Sequence, residues 1–214
     1  EKLAAVGQLS SAIAHEIRNP VTMIASSLKM AEKHEPGSPI RLEMFNIATE
    51  EAKRLESLTT DFLAFAKTKE PDLKEVPVID TLDYVASLAK AHLIEKGLMI
   101  QVKCDPALLF VMDTGLIQQA LLNLLTNAIN AAARGGEITI GAETIDENSV
   151  LYLENEGQPV PNDLKERIFE PFFTDGAKGT GLGLPIVRNI ARAHGGDVFL
   201  AGNEDGKVRF EIRF

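Results

Sequence analysis

Two stretches of regularly spaced apolar residues, separated by one turn, constrain this chain more than any other feature. In the first 34 residues the apolar positions are Leu3, Val6, Leu9, Ile13, Ile17, Val21, Ile24, Leu28 and Ala31. Steps of three and four residues place them on one helical stripe of coiled-coil type. The segment EPGSP at 35–39 reads as a turn. The stripe resumes over residues 40–68 with Leu42, Phe45, Ala48, Ala52, Leu55, Leu58, Phe62 and Phe65. The first third is therefore expected to be an antiparallel helical hairpin. Two helices alone leave their seam in water, and a second copy completes a four-helix bundle, so a homodimer is expected.

Beyond KTKEPDLKEVP (67–77), read as a charged linker, the texture changes. Residues 80–95 read as a helix, LMIQVKC and LLFVM as short strands, and 115–133 as a strong helix closed by Gly135 and Gly136. EITIGAETI and SVLYLEN alternate as strands about an Asp-Glu-Asn turn. A glycine-rich stretch opens a helix over 182–194, and DVFLAG and KVRFEIRF finish the chain as strands. The order predicts an α/β sandwich, a mixed sheet with helices on one face. The fold class is thus α+β, with a helical hairpin over 1–70 and an α/β sandwich domain over 71–214.

Charge and composition exclude several functions. The net charge of −9 disfavours nucleic acid as a partner, which needs a basic face. An acidic chain still holds a nucleotide, because phosphates are met locally by backbone N–H groups. Cys104 is the one cysteine, so no internal disulfide or cysteine zinc site exists, and its strand context predicts a buried core thiol. No apolar run reaches the ~18 residues of a membrane span. The first residues already lie in helical register, so the chain is expected to be a piece of a longer protein, compatible with a membrane anchor elsewhere while this part contacts none.

Within the first helix, AIAHEIRNPVTM places His15 and Asn19 four residues apart on one face and Glu16 on the flank of the imidazole. Pro20 removes a helical N–H and opposes the Glu16 carbonyl, so a bend is expected there. The spacing alone fits a surface histidine with a solvated acid as well as a nucleophilic imidazole whose tautomer Glu16 sets. In NLLTNA, Asn123 and Asn127 project from one face, and neutral amide oxygens are reasonable Mg²⁺ ligands beside a triphosphate. NEGQPVP ends a strand in a stiff turn, and FEPFF is an aromatic cluster. GTGLGLP brings three glycines to a helix N-terminus, where free N–H groups and the helix dipole favour phosphate. Neither a Rossmann fingerprint nor a P-loop is present.

HEIRNP, NLLTNA, NEGQPVP, FEPFF and GTGLGL, in this order and spacing, resemble the bacterial sensor histidine kinases of two-component signalling. The resemblance covers essentially the whole chain. It implies a dimerisation and histidine-phosphotransfer hairpin, then an ATP-binding domain of the fold shared with gyrase, Hsp90 and MutL. It further implies that His15 takes the γ-phosphoryl group of ATP and passes it to an aspartate of a response regulator receiver domain. Glu16 is then the general base, and Asn19 orients water for dephosphorylation of the regulator. Asn123 and Asn127 match the residues that bind Mg²⁺ and phosphates, and Asn130, one turn on, is expected beside them in the nucleotide site. Asn155 and Gly157 match the adenine side. Phe172 and Phe173 anchor a lid over 174–180, which includes Lys178. Gly179, Thr180, Gly181, Leu182 and Gly183 border the phosphates. A cytoplasmic location follows.

Two departures bear on this expectation. Asn155 stands where the family has an aspartate, and Pro159 where it has a glycine. They leave open an alternative, a phosphotransfer or phosphatase module with a weakened ATP site. A gyrase-like ATPase is disfavoured, because residues 115–133 carry no acidic side chain to activate water.

Overall fold

A computed structural model describes the chain except for residues 1, 67–69, 175–178 and 205, with backbone only over 2–12. The chain divides into two compact units, residues 1–67 and 68–214.

In the first unit, α1 (Lys2–Ala31) and α2 (Pro39–Ala66) are antiparallel neighbours. The reversal is built from local chemistry. Gly37 takes φ +82°, the Ser38 hydroxyl accepts the Arg41 N–H at 3.3 Å, and Pro39 occupies the first helical position, where a missing N–H does no harm. The Arg41 guanidinium donates to the His34 carbonyl at 3.0 Å. The helix runs unbroken through Pro20, which is buried. Packing of the ring into the hairpin holds the helical assignment across the site of the expected bend. The apolar stripe divides in two: Ala31, Ala48 and Leu58 are buried within the hairpin, while Val21, Leu28, Leu42 and Phe45 remain between 41% and 56% exposed.

The second unit begins with a strand inside the expected linker. β1 (Lys74–Pro77) pairs antiparallel with β3 (Leu109–Met112) as a two-stranded ribbon. Between them lie α3 (Val78–Lys96) and β2 (Met99–Lys103). Then come α4 (Thr114–Ala131), β4 (Glu137–Ile145), β5 (Asn148–Glu156), a 3₁₀ turn at Arg167–Phe169, α5 (Gly183–Ala193), β6 (Asp197–Glu204) and β7 (Lys207–Arg213). The main sheet has the order β2-β4-β5-β7-β6. It is mixed, because β2 and β4 are parallel and the other pairs antiparallel, as the pattern predicts.

Alternation sorts the two sheet faces. Ile138, Ile140, Leu151, Leu153, Val208 and Ile212 share one face with 4% exposure or less, and the fully buried Leu82, Ile117, Leu121, Leu124 and Ile186 of the helices complete this core. The opposite face is polar and self-paired. Glu211 lies between Arg209 at 2.7 Å and Arg213 at 2.6 Å, Arg209 also pairs with Glu143, and its guanidinium lies 3.8 Å from the Tyr152 ring centroid. β4 and β5 are joined by a two-residue turn with φ +48° at Asp146 and +67° at Glu147. Both residues are left-handed, so the turn matches the strand twist.

Two local expectations are corrected. Helix α4 ends at Ala131, before the glycine pair, because Ala132 turns extended and bridges to Gly157. Gly135, at φ +83°, turns the chain three residues later. Cys104 lies just beyond β2 and is only half-buried, its thiol donating to the Asp105 carbonyl at 3.3 Å. Partial burial and the charges of Asp105 and Asp83 push that thiol up, which keeps it protonated and unreactive.

Asp197, at the start of β6, ties α5 to the sheet through Arg188 at 3.1 Å and Arg192 at 3.2 Å. Burial opposes ionisation of its carboxyl, but the Val198 N–H and the two guanidinium groups outweigh it and hold the carboxyl below its ordinary value of 3.8. A depressed carboxyl stabilises the fold above its unfolded value and loses that contribution as pH falls through the folded one. Asp197→Asn is therefore expected to reduce stability at neutral pH by on the order of 1 kcal/mol or less for so exposed a cluster, read as a lower melting temperature. The gap from wild type should close below pH 3.8. Melting both proteins between pH 7 and 2 checks this, and a gap independent of pH would contradict it.

Candidate functional site

In the hairpin, helical periodicity puts His15 on the solvent side of α1, where the imidazole is exposed. Asn19, one turn on, brings its amide nitrogen to 3.4 Å from His15 Nδ1. Rotating the amide by half a turn offers its oxygen to an Nδ1–H instead. With the amide oxygen accepting from an Nδ1–H, the ring proton sits on Nδ1 and Nε2 keeps the lone pair that can react; with the amide nitrogen donating to Nδ1, the proton sits on Nε2 instead.

The sequence reading places Glu16 against the ring. In the structure its carboxylate faces α2 instead and pairs with Arg54 at 3.8 Å, both side chains about one third exposed at 32% and 34%. Arg54 escaped the sequence reading because nothing local marks it. Only the antiparallel packing of the two helices brings it opposite Glu16.

In the second unit α4 is aimed by its N-cap. Asp113 Oδ1 accepts the Leu116 N–H at 3.0 Å, and Oδ2 accepts the Asp72 N–H at 3.0 Å. The Asp113 N–H donates to His194 Nε2 at 3.0 Å. His194 Nδ1 lies 2.8 Å from the Ile190 carbonyl, so its proton sits there and the ring is neutral. The sequence signal that marks Asp113 is its place just ahead of a strong helix, an N-cap signature.

So oriented, α4 presents Asn123 and Asn127 to the first residue of α5. A Cβ at Gly183 would stand 3.9 Å from Asn123 Oδ1 and 3.9 Å from both amide atoms of Asn127. Among the described residues no side-chain cap is made at the N-terminus of α5, and its first N–H groups face this convergence of amides. The Leu182 side chain is fully buried in the core, and its N–H meets the Thr180 hydroxyl at 3.3 Å. Asn130 turns elsewhere: it is exposed, and its oxygen takes Lys96 Nζ at 3.1 Å, while the same ammonium bonds the Ile129 carbonyl at 2.9 Å. In this structure Asn130 ties α3 to the end of α4.

At the far end, Asn155 is 3% exposed and its Nδ2 donates to the Glu156 carbonyl at 3.3 Å. That bond fixes the amide so that Oδ1 remains as the acceptor. Gly157 is packed too closely for any side chain, because a Cβ would lie 2.9 Å from Asn155 Nδ2 and 3.0 Å from the Ala131 carbonyl. Gly157 also forms a wall of an open cavity of about 640 Å³, with Ala131, Pro159 and Lys207 among the other walls.

The glycine-rich segment closes onto FEPFF through backbone. Phe172 N–H donates to the Gly181 carbonyl at 2.9 Å, and both residues are left-handed, at φ +64° and +67°. A bulky residue held at positive φ is strained and persists where its surroundings over-determine it. Phe173 lies under the Arg167 guanidinium, 4.7 Å from the ring centroid. A Cβ built at Gly179 would meet the Thr174 hydroxyl at 3.8 Å and the Gly181 nitrogen at 3.9 Å, ordinary contact distances. Lys178 lies outside the described residues. Among the described residues no three His, Cys, Asp or Glu side chains converge as a metal site, so a cation here would rest on neutral amides and on its ligand's own oxygens.

One unit thus carries an exposed histidine with an amide at Nδ1, and the other a pair of helix amides facing a helix N-terminus. Comparison with known proteins gives the family. Residues 5–71 match the His Kinase A (phospho-acceptor) domain, and residues 112–214 match the Histidine kinase-, DNA gyrase B-, and HSP90-like ATPase family. The sensor histidine kinase ZraS of Salmonella typhi is 32% identical over 99% of this chain and 46% of its own length. The catalytic domain of the histidine kinase ThkA is 32% identical, with a TM-score of 0.62 over 67% of this chain and 95% of that one. ThkA solved in complex with the response regulator protein TrrA is 31% identical, with a TM-score of 0.82 over 100% of this chain and 63% of that one. The chain belongs to the sensor histidine kinases. It spans about half the length of the curated relatives it matches, 46% of ZraS.

Proposed function

We propose that this chain is a sensor-kinase core that moves the γ-phosphoryl group of ATP onto His15 and from there to an aspartate of a response regulator receiver domain. The observation that carries this reading is the convergence of Asn123 and Asn127 on the N-terminus of α5 at Gly183. Backbone N–H groups and the helix dipole there favour phosphate oxygens, and the two amides are hard, neutral donors for Mg²⁺. Bound there, Mg²⁺ supplies charge neutralisation for the triphosphate. Phosphoryl transfer needs mainly this and in-line positioning.

In the transfer, His15 Nε2 attacks the γ-phosphorus. The N–P bond forms as the bond from phosphorus to the bridging oxygen breaks, and ADP leaves with that electron pair. The Nδ1 proton of the resulting imidazolium passes to Glu16, which must first part from Arg54, and a phosphohistidine with an uncharged ring remains. Asn19, already beside the ring, is placed to hold a water for the reverse task, dephosphorylation of the regulator. Asn155 Oδ1 is free to accept from the adenine amino group. Its amide is buried and oriented, and this weighs against the weakened-site alternative.

The exposed stripe of Val21, Leu28, Leu42 and Phe45 favours a homodimer, in which a second hairpin covers it as a four-helix bundle. ThkA has been solved with a response regulator protein, which supports a receiver domain as partner here. ATP as substrate fits the cytoplasm, and no helix among the described residues is long and apolar enough to cross a membrane.

The test is incubation with γ-labelled ATP, with Mg²⁺ or with excess chelator. Label that is acid-labile, base-stable and dependent on Mg²⁺ is expected. Acid-stable label would point to a hydroxyl acceptor and away from this reading.

A further inference from the structure

The turn after Asn155 and Gly157 runs Gln158-Pro159-Val160-Pro161. Neither proline has an N–H, so Val160 holds the one backbone donor between residues 159 and 161. Both of its backbone groups are taken by a single side chain from another strand. The Val160 N–H donates to Asn203 Oδ1 at 2.6 Å, and Asn203 Nδ2 donates to the Val160 carbonyl at 2.7 Å. The carboxamide pairs with this residue as the peptide group of a neighbouring strand would.

The fold goes out of its way to aim that side chain. In β6, Leu200 lies opposite Phe210 on the helix-covered face, and the pairing shifts by one residue before Gly202, which lies opposite Arg209. In a regular strand a residue three places after Leu200 points to the other face. The extra residue at the bulge reverses the parity, and Asn203 returns to the face of Leu200, opposite the buried Val208. Bulges re-aim side chains in this way. A second link runs alongside, from the Gly157 N–H to the Gly206 carbonyl at 2.9 Å in the β6–β7 turn.

We infer that Asn203 is a positioning residue for nucleotide. It clamps the proline-flanked loop so that Gly157 and Asn155 keep the geometry that receives the base. The inference rests on the nucleotide reading of this site. Pro159 and Asn203 act together: the proline stiffens a segment that cannot pair as a strand, and the amide supplies the pairing. Ordering the loop before binding lowers what the nucleotide must order on arrival.

The experiment is calorimetric titration of the whole chain with ATP and Mg²⁺, together with autophosphorylation kinetics, for wild type, Asn203→Ala and Asn148→Ala. Asn148 is the control, an asparagine of the same sheet whose amide serves only the β4–β5 turn, at 3.1 Å from the Asp146 carbonyl. Asn203→Ala is expected to weaken ATP binding and raise KM for ATP by about tenfold. The rate at saturating ATP should stay within about twofold and the melting temperature within about 2 °C, as for a surface loop contact. Asn148→Ala should bind as wild type does. Asn203→Asp keeps the acceptor for the Val160 N–H and loses the donor, so a loss of about threefold is expected; it serves as the test variant if the alanine variant does not fold. Unchanged ATP binding in these Asn203 variants, or equal weakening by Asn148→Ala, would overturn the inference and leave the kinase reading intact. A wild type that binds no nucleotide would overturn both.

Discussion

His15→Gln is expected to incorporate no γ-phosphoryl label at all under conditions where the wild type is labelled. Glutamine keeps the polarity and roughly the length of the side chain, but its amide nitrogen has no lone pair free for attack on phosphorus. His15 is exposed and its contact is a single amide one turn away. The substitution should therefore shift hairpin stability by no more than about 0.5 kcal/mol. ATP binding should also be unchanged, because Asn123, Asn127 and the start of α5 lie in the other compact unit. Loss of label with retained binding and folding assigns the acceptor. Label persisting on the variant would mean that another residue accepts the phosphoryl group.

The second large effect is expected at Gly181. Its φ of +67° is left-handed, and a Cβ there would come within 2.6 Å of Phe172 Cα and carbonyl carbon and 2.9 Å of Phe173 N. These are backbone atoms, with no flexible side-chain end to give way. Forcing an L-residue into this conformation costs roughly 1–2 kcal/mol, and displacing packed backbone costs about as much again. Together these correspond to about a hundredfold in binding. Gly181→Ala is therefore expected to weaken ATP binding by about a hundredfold, with the sheet and α4 still folded. Titration with ATP and Mg²⁺, set beside a melting curve, checks this. Near-normal affinity would mean that the contact between Phe172 and Gly181 has no part in holding nucleotide.

Much of this molecule was legible because its information is local. The hairpin follows from steps of three and four residues. The mixed sheet follows from alternation with turn residues between strands, and the phosphate end of the site from glycines ahead of a helix. What escaped depends on partners remote in sequence. The segment Lys74–Pro77 reads as linker, with two charged residues and a proline among its four, and is a strand only because β3 lies beside it. Asn130 looks like one more amide of the site until Lys96 arrives from α3. Glu16 looks like the partner of His15 until Arg54 faces it from α2. Asn203 has no signal of its own, since its direction depends on one inserted residue in β6. In each case sequence names the chemistry a side chain can perform, and packing decides to whom it is offered.

The hydrogen bond from the Asp72 N–H to Asp113 bears on how such a chain can be cut and recombined. Residue matching to the ATPase family begins at 112, yet the N-cap of α4 reaches back to residue 72, and β3 needs β1 as its neighbour. A crossover placed at residue 112 would join an α4 to a foreign latch. The unit that can be exchanged between kinases as a module starts ahead of Asp72, so recombination that keeps the nucleotide unit whole has its breakpoint in the short charged stretch after the hairpin.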